Sequence, residues 1–248
     1  MTQAFISGTG SYVPPGVVTN ADLIARYGVE TTDAWIVQRT GIEARRFAEA
    51  GVGTAELGAH AARAALADAA LEPRDLDLII FATLSPDLAF PGSGVLLQHR
   101  LGLTSGTGSK FVPALDVRNQ CAGFLYALAT ANAWVRSGAA RHVLVVGAET
   151  HSAALDLSTR GRAVSSLFGD GAGAVIVAAT AEARGIRGCW LGADGSEATT
   201  LCQRVWDITQ RPFIPLDEHG NGRVAPEMLW AHMDGRLVFK HAVTRMTE

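Results

Sequence analysis

The run Asp77–Leu84 (DLIIFATL) is apolar without alternation, which predicts a strand buried on both faces of a sheet. Upstream, Leu57, Ala61, Ala65 and Ala69 recur at helical spacing, with Thr54 as the expected cap and Pro73 beyond the end. Downstream, Gly92–Arg100 reads as a short helix, Phe111–Val117 as a strand, Ala122–Ser137 as a helix and His142–Gly147 (HVLVVG) as another buried strand. Val164–Phe168 leads to a glycine turn at Gly169–Gly173, and Ala174–Ala178 reads as a further strand. Strands alternating with helices imply parallel pairing and an α/β fold with helices on both faces of the sheet. Gly185–Ala193 is one more strand candidate. Leu201–Arg223 is loop-rich, and Leu229–Glu248 has helical spacing at Leu237, His241 and Arg245.

At 248 residues, 48% hydrophobic and 18% charged, the chain is a globular protein large enough to bury a core without disulfides. Its formal net charge of −3 supplies no global basic field for nucleic acid. No apolar run is long enough to cross a bilayer, and Met1–Gly10 lacks the pattern of a secretory signal. A cytoplasmic location away from membranes is the expectation.

Cys121 stands where a buried strand turns into an apolar helix. The unpaired N–H groups and the positive dipole end of a helix start favour thiolate over thiol and raise nucleophilicity. Most free cysteines are simply small buried hydrophobes, and the residues alone leave that alternative open. Cys189 and Cys202 read as filler. The motif Phe168-Gly169-Asp170-Gly171-Ala172-Gly173 lacks a P-loop lysine and precedes a strand, so close backbone packing at a tight turn explains it better than phosphate binding. The seven histidines show no metal-ligand spacing, and no serine sits in a nucleophile elbow. No cofactor or metal is expected.

Asp116-Val117-Arg118-Asn119-Gln120-Cys121-Ala122-Gly123-Phe124, Val145-Val146-Gly147-Ala148-Glu149 and Phe168–Gly173 together resemble the β-ketoacyl-acyl-carrier-protein synthase III family. So do Gly8–Pro14 and Ala34–Ile42, and the likeness continues in order down to Val238-Phe239-Lys240. This resemblance implies a thiolase-like fold of two α/β halves and a homodimer. It places a first half at residues 1–183, with the nucleophile, and the start of a second, incomplete half at 184–248. Cys121 is then the acceptor of an acyl group from acyl-CoA, which condenses with malonyl-acyl carrier protein after loss of carbon dioxide. Trp35, Arg39 and Arg160 match contacts to coenzyme A. Phe90 matches a side chain reaching across the dimer, Phe168 a pocket wall, and Lys240 a docking site for the carrier protein.

The family's enolate-stabilising histidine and asparagine lie in Pro-His-Gln-Ala-Asn-like and Gly-Asn-Thr-Ser-like segments, and neither segment occurs in this sequence. The favoured expectation is the N-terminal portion of a condensing enzyme. The alternatives are a non-catalytic subunit supplying a dimer face, and acyl transfer without decarboxylation. The acyl primer is left open.

Overall fold

Asp77–Leu84 does form the middle of a sheet: Leu78–Ala82 is buried at every position. The structure, a computed structural model, describes residues 2–103, 110–205, 207–209, 212, 214–245 and 247. In chain order the elements begin β1 (Gln3–Tyr12), β2 (Gly16–Thr19), α1 (Asn20–Tyr27), α2 (Asp33–Thr40) and β3 (Ala44–Phe47). Then come α3 (Thr54–Asp68), β4 (Leu78–Ala82), α4 (Ser93–Arg100), β5 (Ala114–Val117), α5 (Gly123–Arg136) and β6 (His142–Thr150). The remainder is α6 (Arg162–Ser165), β7 (Asp170–Thr180), β8 (Leu201–Cys202), α7 (Pro226–Leu229), β9 (His232–Met233) and α8 (Gly235–Arg245).

The chain divides into two compact units, each assembled from separated stretches. The first unit comprises Met1–Gly16, Arg46–Thr150 and Asp170–Leu191, and holds the five-stranded sheet in the order β1-β7-β6-β4-β5. β4 runs parallel to both β5 and β6, as the alternation of strand and helix predicts. β7 departs from that expectation and lies antiparallel to both β1 and β6. Side chains of β4 alternate between two cores. Ile79 and Phe81 pack with Ala61, Ala65 and Leu97 from α3 and α4, whereas Leu78 and Ile80 pack with Ala127, Ala131 and Val135 from α5. Ile79, Ile80 and Phe81 are each wholly buried, and each such side chain contributes roughly 1.5–3 kcal/mol by leaving water.

Glycine sets the distance between β1 and α3. A Cβ on Gly10 would sit 2.2 Å from the Ala61 carbonyl oxygen, and one on Gly8 would sit 2.5 Å from that of Ala65. Gly8-Thr9-Gly10 therefore lets a strand lie directly on a helix backbone.

Four local expectations are corrected. Thr54 is the first residue of α3 and Gly53 its cap; the Thr54 hydroxyl donates to Ser85 O (2.6 Å), and the distant Asp87 carboxylate accepts the Ala55 N–H instead. β5 starts three residues late, because Pro113 has no N–H to give and only its carbonyl joins the ladder, accepting from Ile79. Gly171 and Gly173 are inside β7, not in a turn, and a Cβ on Gly173 would meet nothing within 4 Å. Gly185–Ala193 forms no strand; its link to the sheet is the Ile186 N–H donating to Ala4 O at 2.8 Å.

The second unit comprises Val17–Arg45, His151–Gly169 and Gly192–Glu248. Its α1 and α2 both end at left-handed glycines, Gly28 and Gly41, whose N–H groups close the last helical turn. Arg45 is 6% exposed and organises the interior, donating to Val18 O, Asn20 Oδ1 and Ser166 O. Asn20 passes the connection on, since its amide donates to Asp33 at the start of α2 and to Ile42 O. Among the described residues no helix is long and apolar enough to cross a membrane.

Candidate active site

Within the first unit, β5 ends at Val117 and the chain turns through Asn119 (φ −131°, ψ 37°) and Gln120 (φ 47°). Gln120 is in the left-handed region, an uncommon place for a residue with a Cβ. A single 3₁₀ turn over Gln120–Ala122 follows, and α5 begins at Gly123. Cys121 occupies this turn and is exposed. The cap residue of α5 is Ala122, which makes no side-chain capping bond. Gly123 is buried against Ala82, so it serves packing of the helix start on β4.

The neighbouring helices of the same unit begin differently. The Asp116 carboxylate, on the strand leading to Cys121, accepts from the N–H groups of Ser93 (2.7 Å) and Gly94 (2.9 Å) at the start of α4. The Ser93 hydroxyl donates to Asp87 at 2.8 Å, and Asp87 holds the start of α3. Burial, helped by the nearby Asp87 charge, pushes the Asp116 carboxyl above its ordinary range, although the two N–H donors oppose the rise. Glu149, at the end of β6, accepts from the Leu84 N–H, the Ser85 N–H and hydroxyl, and the Thr83 hydroxyl. These three carboxylates brace both ends of the segment that carries Phe90, which is itself 85% exposed. Sequence reasoning passed over Asp87 and Asp116 as functional supports, because their partners are far away in sequence.

In the second unit, Trp35 and Arg39 come together on α2. The Arg39 guanidinium lies 4.4 Å from the Trp35 ring centroid. Arg160 is engaged elsewhere, with its Nε 2.7 Å from Asp156 Oδ2. A residue not singled out by sequence, Arg162, places its guanidinium 5.3 Å from the same indole. Phe168 is half-buried, its ring 4.9 Å from that of His151. Lys240 is exposed on α8 beside the exposed Phe239, along a groove of about 610 Å³. Cys189 is exposed and Cys202 half-buried. Among the described residues no group of three or more His, Cys, Asp or Glu side chains could hold a metal ion.

The family model for 3-oxoacyl-[acyl-carrier-protein] synthase III matches residues 115–195, the stretch that includes Cys121 and β7. The synthase III from Aquifex aeolicus is 38% identical and superposes with a TM-score of 0.79, over 99% of this chain and 68% of its own. The chain belongs to the 3-oxoacyl-[acyl-carrier-protein] synthase III family. The enzyme from Thermus thermophilus, also 38% identical, gives a TM-score of 0.81 over 98% of this chain and 68% of its own. The priming β-ketosynthase of the R1128 polyketide pathway is 31% identical, with a TM-score of 0.79 over 98% of this chain and 67% of its own. Synthase III membership carries the thiolase-like fold with it, and the 248 residues span about two thirds of the length of these relatives.

Proposed function

We propose that this synthase III family member is an acyltransferase in which Cys121 accepts an acyl group from acyl-CoA. The thiolate attacks the thioester carbonyl, coenzyme A leaves as its thiol, and an acyl-Cys121 thioester remains. In the second half-reaction, malonyl-acyl carrier protein loses carbon dioxide, its carbanion attacks acyl-Cys121, and the thiolate is released with 3-oxoacyl-carrier protein as product. The observation that supports this reading is an exposed thiol at an uncapped helix start, reached through a left-handed residue. Trp35 and Arg39 suit the nucleotide end of coenzyme A, pairing a flat indole with a planar cation. We further assign Phe90 and Phe168 to the acyl pocket, Phe90 across a homodimer, and Lys240 to docking of the acidic carrier protein in the cytoplasm.

Incubation with acetyl-CoA tests the acylation half. An acetyl mass is expected on the peptide containing Cys121, and none in Cys121→Ala. An unmodified Cys121 peptide would overturn the proposal in favour of a non-catalytic subunit. Because no Pro-His-Gln-Ala-Asn or Gly-Asn-Thr-Ser segment occurs in residues 1–248, this chain alone is expected to release no carbon dioxide from malonyl-carrier protein.

A further inference from the structure

Between β4 and α4 the chain runs from Thr83 to Gly92, and both ends of that stretch are anchored. Thr83, Leu84 and Ser85 are gathered by one side chain, Glu149 at the end of β6. Its Oε1 accepts from the Leu84 N–H at 2.9 Å, and its Oε2 from the Ser85 N–H at 3.0 Å and the Thr83 hydroxyl at 3.1 Å. The Ser85 hydroxyl is a fourth donor. Ser85 is held on two further sides, since its hydroxyl oxygen accepts from the Thr150 N–H at 2.9 Å and its carbonyl from the buried Thr54 hydroxyl at 2.6 Å. Further on, Asp87 binds the Ala55 N–H and the Ser93 hydroxyl. Leu88–Pro91, which includes Phe90, is an exposed tip between these anchors.

Four N–H and O–H groups from three consecutive residues converge on Glu149, and a carboxylate is the side chain that can accept from all of them. It has acceptor sites on both oxygens and no donor of its own, whereas a glutamine amide would turn a donor toward some of the same groups. Among the described residues Glu149 is in no ion pair, so its charge goes into bonds with this turn. The turn also touches the strand end that leads to Cys121: the Thr83 N–H donates to the carbonyl of Val117, the last residue of β5, at 3.3 Å. One carboxylate thus fixes both the root of the Phe90 tip and its register against that strand end.

We propose that Glu149 is a positioning residue for acyl-chain selection. By holding the Thr83–Ser85 turn it sets where the Leu88–Pro91 tip stands, and with it the length of acyl chain that is admitted. The proposal rests on the assignment of Phe90 to the acyl pocket given under the function above.

Rates of Cys121 acylation by acetyl-, butanoyl-, hexanoyl- and octanoyl-CoA test it, read as the spread between the best and the worst donor. In Glu149→Ala the spread is expected to narrow by about tenfold, the worth of one closely fitted methylene. Ser85→Ala, which removes only the hydroxyl shared by Glu149 and the Thr150 N–H, should narrow it in the same direction by a smaller factor, and it carries the test should Glu149→Ala not fold. Glu149→Gln should lie between Glu149→Ala and wild type. Asp77 is the matched control: it accepts from Lys110, the Arg141 N–H and the His142 N–H at the opposite end of β4. Asp77→Ala should lower the melting temperature and leave the spread as in wild type. An equal narrowing in Asp77→Ala would mean that general loosening is the cause, and would overturn the proposal. So would a wild-type spread in the Glu149 and Ser85 variants while Phe90→Ala changes it. A Phe90→Ala variant that keeps the wild-type spread would instead overturn the underlying assignment of Phe90.

Discussion

A Cβ atom on Gly92 would lie 2.4 Å from the Asp116 carboxylate. The absence of a side chain at 92 is what allows Asp116, on the strand leading to Cys121, to reach the first N–H groups of α4. Backbone conformation is not the reason, since Gly92 has φ −68° and ψ 163°, values open to any residue.

Gly92→Ala is therefore expected to destabilise the protein by about 2 kcal/mol through overpacking and a displaced cap. The same substitution in an Asp116→Ala background should cost much less, because the group it strikes is gone. Chemical denaturation of the four members of this double-mutant cycle reads the difference, and additive effects would contradict the contact.

Asp116 and Asp77 should respond to pH in opposite directions. Burial raises the folded-state value of Asp116, so the folded protein holds this proton more tightly than the unfolded chain does. Its contribution is fully present below the unfolded value of about 3.9 and is lost as pH rises through the higher folded value. Asp77 is also partly buried, which raises its value, but bonds from Lys110 and from the N–H groups of Arg141 and His142 outweigh burial and lower it. Its contribution is present above about pH 3.9 and is lost as pH falls through the lower folded value. The stability advantage of wild type over Asp116→Asn should thus shrink as pH rises above 4, and that over Asp77→Asn should shrink as pH falls below 4. Denaturant melts across pH 3–7 would show both trends.

Two glycine-rich motifs should differ sharply under substitution. Gly10→Ala drives a methyl group into the Ala61 carbonyl and the Ala65 backbone nitrogen, neither of which can swing aside, and should cost more than about 3 kcal/mol. Gly173→Ala enters open space in a strand and should be neutral or stabilising by up to about 1 kcal/mol. Thermal melts of the two variants check this ordering.

Legibility in the sequence followed the range of the interaction concerned. β4, α3 and α5 could be read directly, because the unbroken apolar run at 78–82 and the alanines at helical spacing are local signals of two-sided burial. The turn beneath Cys121 was legible for the same reason, as strand gives way to helix within five residues. The direction of β7 was not, since Gly171 and Gly173 carry turn chemistry while strand pairing is decided by β1 and β6. Nor was the cap of α3, which comes from Asp87, 32 residues away from the N–H it accepts. Arg162 escaped notice because only its bond to the Glu30 carbonyl brings it to Trp35.

Gln120 gives the sharpest test of how Cys121 is presented. With φ 47° it is in the left-handed region immediately before Cys121, which is exposed just beyond the end of β5. A β-branched residue there clashes with its own backbone, so Gln120→Val should destabilise the protein by about 1–2 kcal/mol, or else flip the turn. Gln120→Gly relieves the left-handed conformation but frees the unfolded chain, and the two effects nearly cancel in stability. Alkylation of Cys121 by iodoacetamide under native conditions is expected to slow in Gln120→Val and to remain at the wild-type rate in Gln120→Gly. Equal rates in all three proteins would mean that the left-handed residue does not aim the thiol.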